Sequence, residues 1–406
     1  MVRKIILPLR EYFNDTMIMR RSANRIFSKL KSHNIRNIIE PISFLLVFFL
    51  IFGLLAHRMG LSNMLNTIMQ TAYKLLIDTV LFLMGITVLS GALGKLLVEF
   101  GVVRMLEKLL RPFIKPIFGL PGVAALGAII TFLSDNPAII SLAKDKQFGQ
   151  YFRKYQLVSL TNFGTAFGMG LIVIVFMISL GYGKGAMVGL LGAIVGCIIS
   201  TRMMQYLTLR IYPNFKIENA YPEDIHEDTK TISSKDSIFI RALNAILDGG
   251  KVGVDLGLAI IPGVLVISTA VMMMTFGPSG DDGSYIGAAY EGVPLLPYLA
   301  EKLDWLFELL FGFHHPELIS FPITALGAVG AALGLLPEFG TRGMLDTNTI
   351  AVFTAIGMCW SGYLSTHTAM LDTLGYRKLT GKAIFAHTIG GLCAGIFAHL
   401  LCLIFF

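Results

Sequence analysis

Apolar residues run in long stretches, such as 41–55, 80–93, 171–180 and 384–406, and charged residues gather in short segments between them. Runs of ~20 apolar residues cross a bilayer as helices. The pattern predicts spans over about 41–57, 72–98, 155–181, 184–209, 242–276, 347–374 and 383–406. Two further apolar stretches do not read as spans. The apolar run 120–143, within the stretch 120–146, has basic residues on both flanks (Lys115 before it; Lys144, Lys146, Arg153 and Lys154 after it), and Ser134-Asp135-Asn136-Pro137 sits at its centre. A polar, proline-bearing break at membrane depth survives only inside protein or beside a water-filled cavity. The stretch is therefore expected to enter and leave on the same side, as a re-entrant hairpin. A second Gly- and Pro-containing run, 316–343, is expected to do the same from the opposite face.

Each predicted hairpin follows an amphipathic segment. The segment 100–120 is basic, with Arg104, Lys108, Arg111 and Lys115 against Glu107, while 295–313 is acidic, with Glu301, Asp304 and Glu308 against Lys302. Both read as helices lying in the membrane interface.

Composition agrees with a bundle in lipid. Of 406 residues, 54% are hydrophobic and only 15% charged, where soluble chains carry about a quarter. The net charge of +7 does not point to nucleic acid, because the basic residues cluster between spans as cytoplasmic loops do. That pattern places the N-terminus inside and the C-terminus outside. The expected organisation is a basic cytoplasmic segment (1–40), a retained signal-anchor span with its external loop (41–71), a first unit (72–210), a cytoplasmic linker (211–241) and a second unit (242–406). Cys197, Cys359, Cys393 and Cys402 all fall in apolar spans, without metal-ligand spacing or a disulfide framework.

The two units share short motifs in the same order. Lys74-Leu75-Leu76-Ile77-Asp78 answers Lys251-Val252-Gly253-Val254-Asp255, and Glu107-Lys108-Leu109 answers Glu301-Lys302-Leu303. Ala125-Leu126-Gly127-Ala128 answers Ala325-Leu326-Gly327-Ala328, Pro137 falls opposite Pro337, and Leu180-Gly181-Tyr182 answers Leu374-Gly375-Tyr376. An odd number of spans separates the copies, so they are expected to have opposite orientations. The fold expected is all-α integral membrane: two inverted repeats, each with spanning helices, an interfacial helix and a hairpin, plus one extra N-terminal span. Inverted repeats with interrupted helices are a transporter signature, with the solute site near the midplane.

From Gly101-Val102-Val103-Arg104 through Leu109-Leu110-Arg111-Pro112 to Phe118-Gly119-Leu120-Pro121, the chain resembles the nucleoside recognition, or Gate domain, family. That family includes spore-maturation membrane proteins and the membrane cores of bacterial ferrous iron transporters, and is distantly similar to concentrative nucleoside transporters. The resemblance covers about 75–205, with a weaker second copy at about 242–400. It implies this architecture, a gate and a bacterial cytoplasmic membrane. The chain lacks the Gln-Thr-Glu hairpin signature of nucleoside transporters and has no cysteine pattern suited to iron.

The function expected is a secondary transporter of a small polar solute, nucleoside-like or another metabolite, coupled to protons or sodium; the alternative is a non-transporting Gate-type scaffold in an envelope or developmental complex. An intramembrane enzyme is not expected, since no nucleophile elbow, Walker loop or metalloprotease helix is present. Solute contacts are expected from Ser134, Asp135 and Asn136 at the first hairpin tip and from Pro337 and Glu338 at the second. Others are expected from Thr161, Asn162 and Thr165, and from Ser361, Ser365 and Thr368, which would share one helical face. Asp135 and His367 are the candidates for carrying a coupling ion. No cofactor and no metal site is implied. The partners implied are the bilayer and a small-molecule solute, with a homo-oligomer allowed and nucleic acid excluded.

Overall fold

A computed structural model describes residues 39–221 and 237–406; the basic segment 1–38 and much of the predicted linker lie outside the described residues. Among the described residues the structure is helical, with no strand. Among the described residues, six helices are long and apolar enough to cross a bilayer: Ile39–Met59, Leu61–Glu99, Lys154–Ser179, Gly183–Ile211, Ile238–Met273 and Arg377–Phe405. The protein is a multi-pass membrane protein. It divides into two compact units, Met1–Met64 and Leu65–Phe406. The first contains the apolar helix Ile39–Met59.

The second predicted span starts earlier than its hydropathy suggests. Residues read as an external loop up to 71 are helical from Leu61, because Leu61, Leu65 and Ile68 recur at helical spacing among Ser62, Asn63, Asn66 and Gln70. The helix passes through a π-helical segment, Leu75–Val80, before continuing to Glu99. Helix Ile238–Met273 contains a second π-helical segment, Gly263–Ser268.

These two long helices pack antiparallel through glycine. A Cβ built on Gly91 would lie 2.4 Å from the Gly249 carbonyl oxygen, and one on Gly253 would lie 2.3 Å from that of Thr87. Thr87 Oγ1 donates to the Gly253 carbonyl at 2.7 Å. Such close backbone approach is how small residues join helices in lipid, where no hydrophobic force separates helix from tail. Arg241 pairs with Glu99 at 2.8 Å and closes one end.

A second packed group holds the buried core. Gly192 and Gly196 of Gly183–Ile211 face Ala394 and Gly390 of the last helix, while Gly185 and Gly189 face Thr347, Ala351 and Thr354. Phe321 stacks on Phe353 with centroids 4.1 Å apart, and Phe339 and Phe313 complete an aromatic cluster around that pair. At one end, Lys154 pairs with Glu218 at 2.6 Å, Phe215 packs against Tyr212 and Tyr376, and Tyr221 donates to the Ala143 carbonyl at 3.1 Å. All are residues that the charge pattern assigns to the cytoplasmic side. Elsewhere, Tyr182 donates to the Leu345 carbonyl at 2.9 Å, joining two predicted external turns.

Candidate functional site

Four interruptions of regular helix define the site. The stretch predicted as the first hairpin forms two short helices, Ala124–Leu133 and Pro137–Lys144, with a break at Ser134–Asn136. Proline at the first helical position costs nothing there, since its missing N–H would have no intrahelical acceptor. Ser134 leaves helical geometry (φ −131°, ψ −112°) and its hydroxyl donates back to the Ile130 carbonyl at 2.7 Å.

The second hairpin breaks away from the position its proline suggests. Ser320–Gly327 ends at Ala328, which is extended (φ −164°, ψ 123°), and Val329–Leu333 follows. Pro337 and Glu338 lie on the next helix, Leu336–Thr341, where Glu338 pairs with Arg342 at 2.7 Å. These two are therefore not at the break. A local ion pair on one helix face accounts for Glu338.

Two further segments are interrupted, and the second of them, predicted as a span over 347–374, is not among the six helices long and apolar enough to cross a bilayer. The segment Lys154–Ser179 breaks after Thr165 and resumes at Gly170, with Met169 in the left-handed region at φ 55°. The segment 347–373 breaks between Cys359 and Tyr363, with Gly362 at φ 59°. The break separates Ser361 from the helix that carries Ser365 and Thr368, so the single face expected for these three does not form.

The interruptions meet. Asn136 Nδ2 donates to the Ser361 carbonyl, and a Cβ built on Gly168 would fall 2.1 Å from Asn136 Oδ1. The first hairpin tip is thus held against both broken spans. A cavity of about 260 Å³ lies where they converge, lined by Asp135, Asn136 and Pro137, by Met169, by Gly327–Ala331, and by Ser361, Gly362, Ser365 and Thr366. Gly263, at the start of the π-helical segment, and Leu256 form the opposing wall. Ser268 of that segment donates to the Ala331 carbonyl at 2.8 Å, seating the second hairpin.

Of the residues singled out from sequence, Asp135, Asn136, Ser361 and Ser365 line this cavity; Ser134, Thr161, Asn162, Thr165, Pro337, Glu338, His367 and Thr368 do not. Thr368 is exposed and bonds its own helix at Leu364. Thr161, Asn162 and Thr165 are fully buried. Asn162 Nδ2 donates to Ser200 Oγ and to the Ala383 carbonyl, each at 2.9 Å. With that hydroxyl accepting from Asn162, its own proton turns to His387 Nδ1 at 2.9 Å. His387 Nε2 in turn donates to the Cys359 carbonyl, since a carbonyl can only accept. That carbonyl lies at the broken end of Thr347–Cys359, where no following turn supplies a donor. His387 had no signal in sequence beyond being a histidine in an apolar span.

His367 lies beside it, ring centroids 4.6 Å apart. It is fully buried and neither ring nitrogen has a partner among the described residues. Among the described residues, no group of three or more His, Cys, Asp and Glu could hold a metal.

No family model matches this chain, and no curated protein does. Solved structures do. A doubly substituted CNTnw in an outward-facing state aligns with a TM-score of 0.52 at 15% identity, covering 80% of this chain and 75% of that one. CNTnw in an inward-facing, substrate-bound state aligns at 0.51 and 13% identity, covering 78% of this chain and 74% of that one. The chain is similar in fold to a concentrative nucleoside transporter. At this identity the likeness is one of architecture, and CNTnw, seen outward- and inward-facing, shows that the architecture has been captured in two arrangements.

Proposed function

We propose that this protein is a secondary transporter of a small polar solute, working by alternating access. The observation that supports this most is the convergence of four helix interruptions on one cavity, where Asp135, Asn136, Ser361, Ser365 and Thr366 stand among apolar residues. Interrupted helices in lipid expose main-chain donors and acceptors, and that exposure is tolerated only where something polar occupies the gap. The paired order of elements in the two halves (long helix with a π segment, amphipathic helix, hairpin, broken span, final helix) supports an inverted repeat. In this reading the two hairpins and two broken spans form the moving core, carried against the glycine-packed pair of long helices. π-helical segments inside α-helices are frequent at functional sites, and here one of them lines the cavity.

Asp135 is the proposed coupling group for a proton or sodium ion, since it lines the cavity. An ionisable residue at membrane depth costs ~2.5–3.5 kcal/mol on insertion scales and is retained for a partner or a role. His367 stands behind the cavity wall and is better placed to support the core than to meet the solute.

The test is solute flux in proteoliposomes for the wild type, Asp135→Ala and Asn136→Ala. Flux lost in both variants supports transport. Absence of flux for every solute in a broad metabolite panel would leave the chain a non-transporting scaffold.

A further inference from the structure

The turn Leu374-Gly375-Tyr376-Arg377-Lys378 answers Leu180-Gly181-Tyr182-Gly183-Lys184 in the first copy, and it is open where the other is closed. We infer that this open turn, together with the end of Gly183–Ile211, seats the headgroup of an anionic phospholipid of the cytoplasmic leaflet. Arg377 and Lys378 meet its phosphate, and Tyr212, Phe215 and Tyr376 meet the glycerol region between phosphate and acyl chains. The site shares no lining residue with the solute cavity.

The two turns share a backbone. Gly181 and Gly375 are both left-handed, at φ 92° and 78°. The Tyr182 N–H donates to the Met177 carbonyl at 3.2 Å, and the Tyr376 N–H donates to the Leu371 carbonyl at 2.7 Å. Their side chains differ in what they meet. Tyr182 spends its hydroxyl on the Leu345 carbonyl, and Lys184 lies over the Phe406 ring, 5.6 Å from its centroid. Among the described residues, the Tyr376 hydroxyl has no hydrogen bond, and Lys378 has no ion pair and no ring contact. Arg377 adds a second cation where the first copy has Gly183.

A cavity of about 580 Å³ opens at this turn, and Tyr212, Phe215, Tyr376, Arg377 and Lys378 line it without any acidic residue. Its floor is aromatic. Tyr212 stacks on Phe215 with centroids 4.8 Å apart, and Tyr376 meets Phe215 edge-on at 5.6 Å. Two acids nearby are already engaged: Glu218 with Lys154 at 2.6 Å, and Asp372 with Arg377 at 3.7 Å. The second pair is mostly exposed, 79% for Arg377 and 58% for Asp372, so water screens it and Arg377 can turn to a phosphate. Lys378 is left as an uncompensated charge.

Its place in the fold names the occupant. The cavity lies at the ends of Gly183–Ile211 and Arg377–Phe405, two of the helices long and apolar enough to cross a bilayer, on the side that the charge pattern assigns to the cytoplasm. Tyrosine gathers at headgroup depth, and basic pockets between spanning helices on that side hold anionic headgroups. Ile211 and Ile217, which flank Tyr212 and Phe215 in sequence, are exposed and offer an apolar surface to an acyl chain. A soluble phosphate would gain the two cations but nothing from the rings and isoleucines. The extra cation also stands in the copy whose turn faces the anionic leaflet.

The experiment is native mass spectrometry of the purified full chain, titrated in detergent with phosphatidylglycerol or with phosphatidylcholine of the same acyl chains. The first phosphatidylglycerol is expected to bind about twentyfold tighter, at roughly fivefold for each of the two cations. Arg377→Gln combined with Lys378→Gln should lose most of that preference. Arg377→Lys combined with Lys378→Arg, and Lys184→Gln in the first copy's turn, should keep it. A photoreactive phosphatidylglycerol should label the wild type in nanodiscs on the peptides that hold Tyr212–Phe215 or Tyr376–Lys378, a readout independent of how any variant folds. Equal binding of the two lipids, an unchanged preference in the double glutamine variant, or labelling elsewhere alone overturns the site. Glycerol phosphate displacing the lipid at the lipid's own concentration would make this a site for soluble anions and overturn the lipid.

Discussion

Asn136, at the tip of the first hairpin, donates from Nδ2 to the main-chain carbonyl of Ser361, 225 residues further along the chain. The bond joins two interruptions, one in each half, and it crosses the edge of the proposed solute site. Asn136→Ala removes the donor and leaves a buried carbonyl unpaired, at a cost of about 1–3 kcal/mol. Thermal unfolding in detergent should show that loss, and flux should fall with it. Asn136→Asp, which keeps the size but not the donor, should be equally impaired.

Gly168 backs the same tip from the first broken span. A methyl group there would lie 2.1 Å from Asn136 Oδ1, so the tip must move to admit it. Gly168→Ala is expected to lower stability by about 1–3 kcal/mol, as overpacking does, and to reduce flux. Gly85→Ala serves as the control. Nothing lies within 4 Å of a Cβ at Gly85, so the exchange should be neutral or stabilising by up to about 1 kcal/mol in a helix interior.

Two adjacent regions of one helix should respond in opposite ways. A Cβ on Gly253 would meet the Thr87 carbonyl at 2.3 Å, whereas one on Gly250 meets only a Val88 side-chain atom at 3.7 Å. Backbone cannot rotate out of the way as a side chain can. Gly253→Ala should therefore push the two long helices apart and destabilise by about 1–3 kcal/mol, while Gly250→Ala should not. Equal melting temperatures for the two variants would contradict the helix packing described here.

Glu291 organises the loop after the second long helix. Its fully buried carboxylate accepts main-chain N–H groups from Ser279 and Ile286 at 3.1 Å, Gly287 at 2.8 Å and Ala288 at 3.1 Å. Glu291→Gln turns one acceptor into a donor facing two N–H groups. The loss should be about 1–3 kcal/mol, and limited proteolysis should then cut within 277–292 faster than in the wild type.

The hairpin itself is testable by labelling. Lys115 and Lys144 are both exposed and flank the first hairpin. In a background with the four native cysteines replaced by alanine, Lys115→Cys and Lys144→Cys should react with an impermeant maleimide from the same side of the membrane. Reaction from opposite sides would turn the hairpin into a span.

Much of the architecture was legible in one dimension because lipid imposes a local rule. A backbone in hydrocarbon must satisfy its own hydrogen bonds, so apolar runs mark spans, and their charged flanks suggest orientation. The break at Ser134-Asp135-Asn136-Pro137 was visible for the same reason: polar residues and proline are costly in a lipid-facing helix. The break at Ala328 was not visible, because Gly327-Ala328-Val329 is as apolar as its surroundings and the chain departs from helix there only to fit its neighbours. Pro337, the louder local signal, sits in the first turn of a helix, where proline is at ease.

Sequence by itself determined which segments are apolar enough to enter a membrane and where helix breaks at Ser134–Asn136, since both follow from the transfer cost of residues taken one stretch at a time. Tertiary structure alone decided which of those turns meet. Asp135 and Asn136 gained the company of Met169, Ala328, Ser361 and Gly362, and Thr161, Asn162 and Thr165 went into the packed core instead. That partition depends on glycine contacts and carbonyl partners hundreds of residues apart, and no local pattern of polarity encodes them.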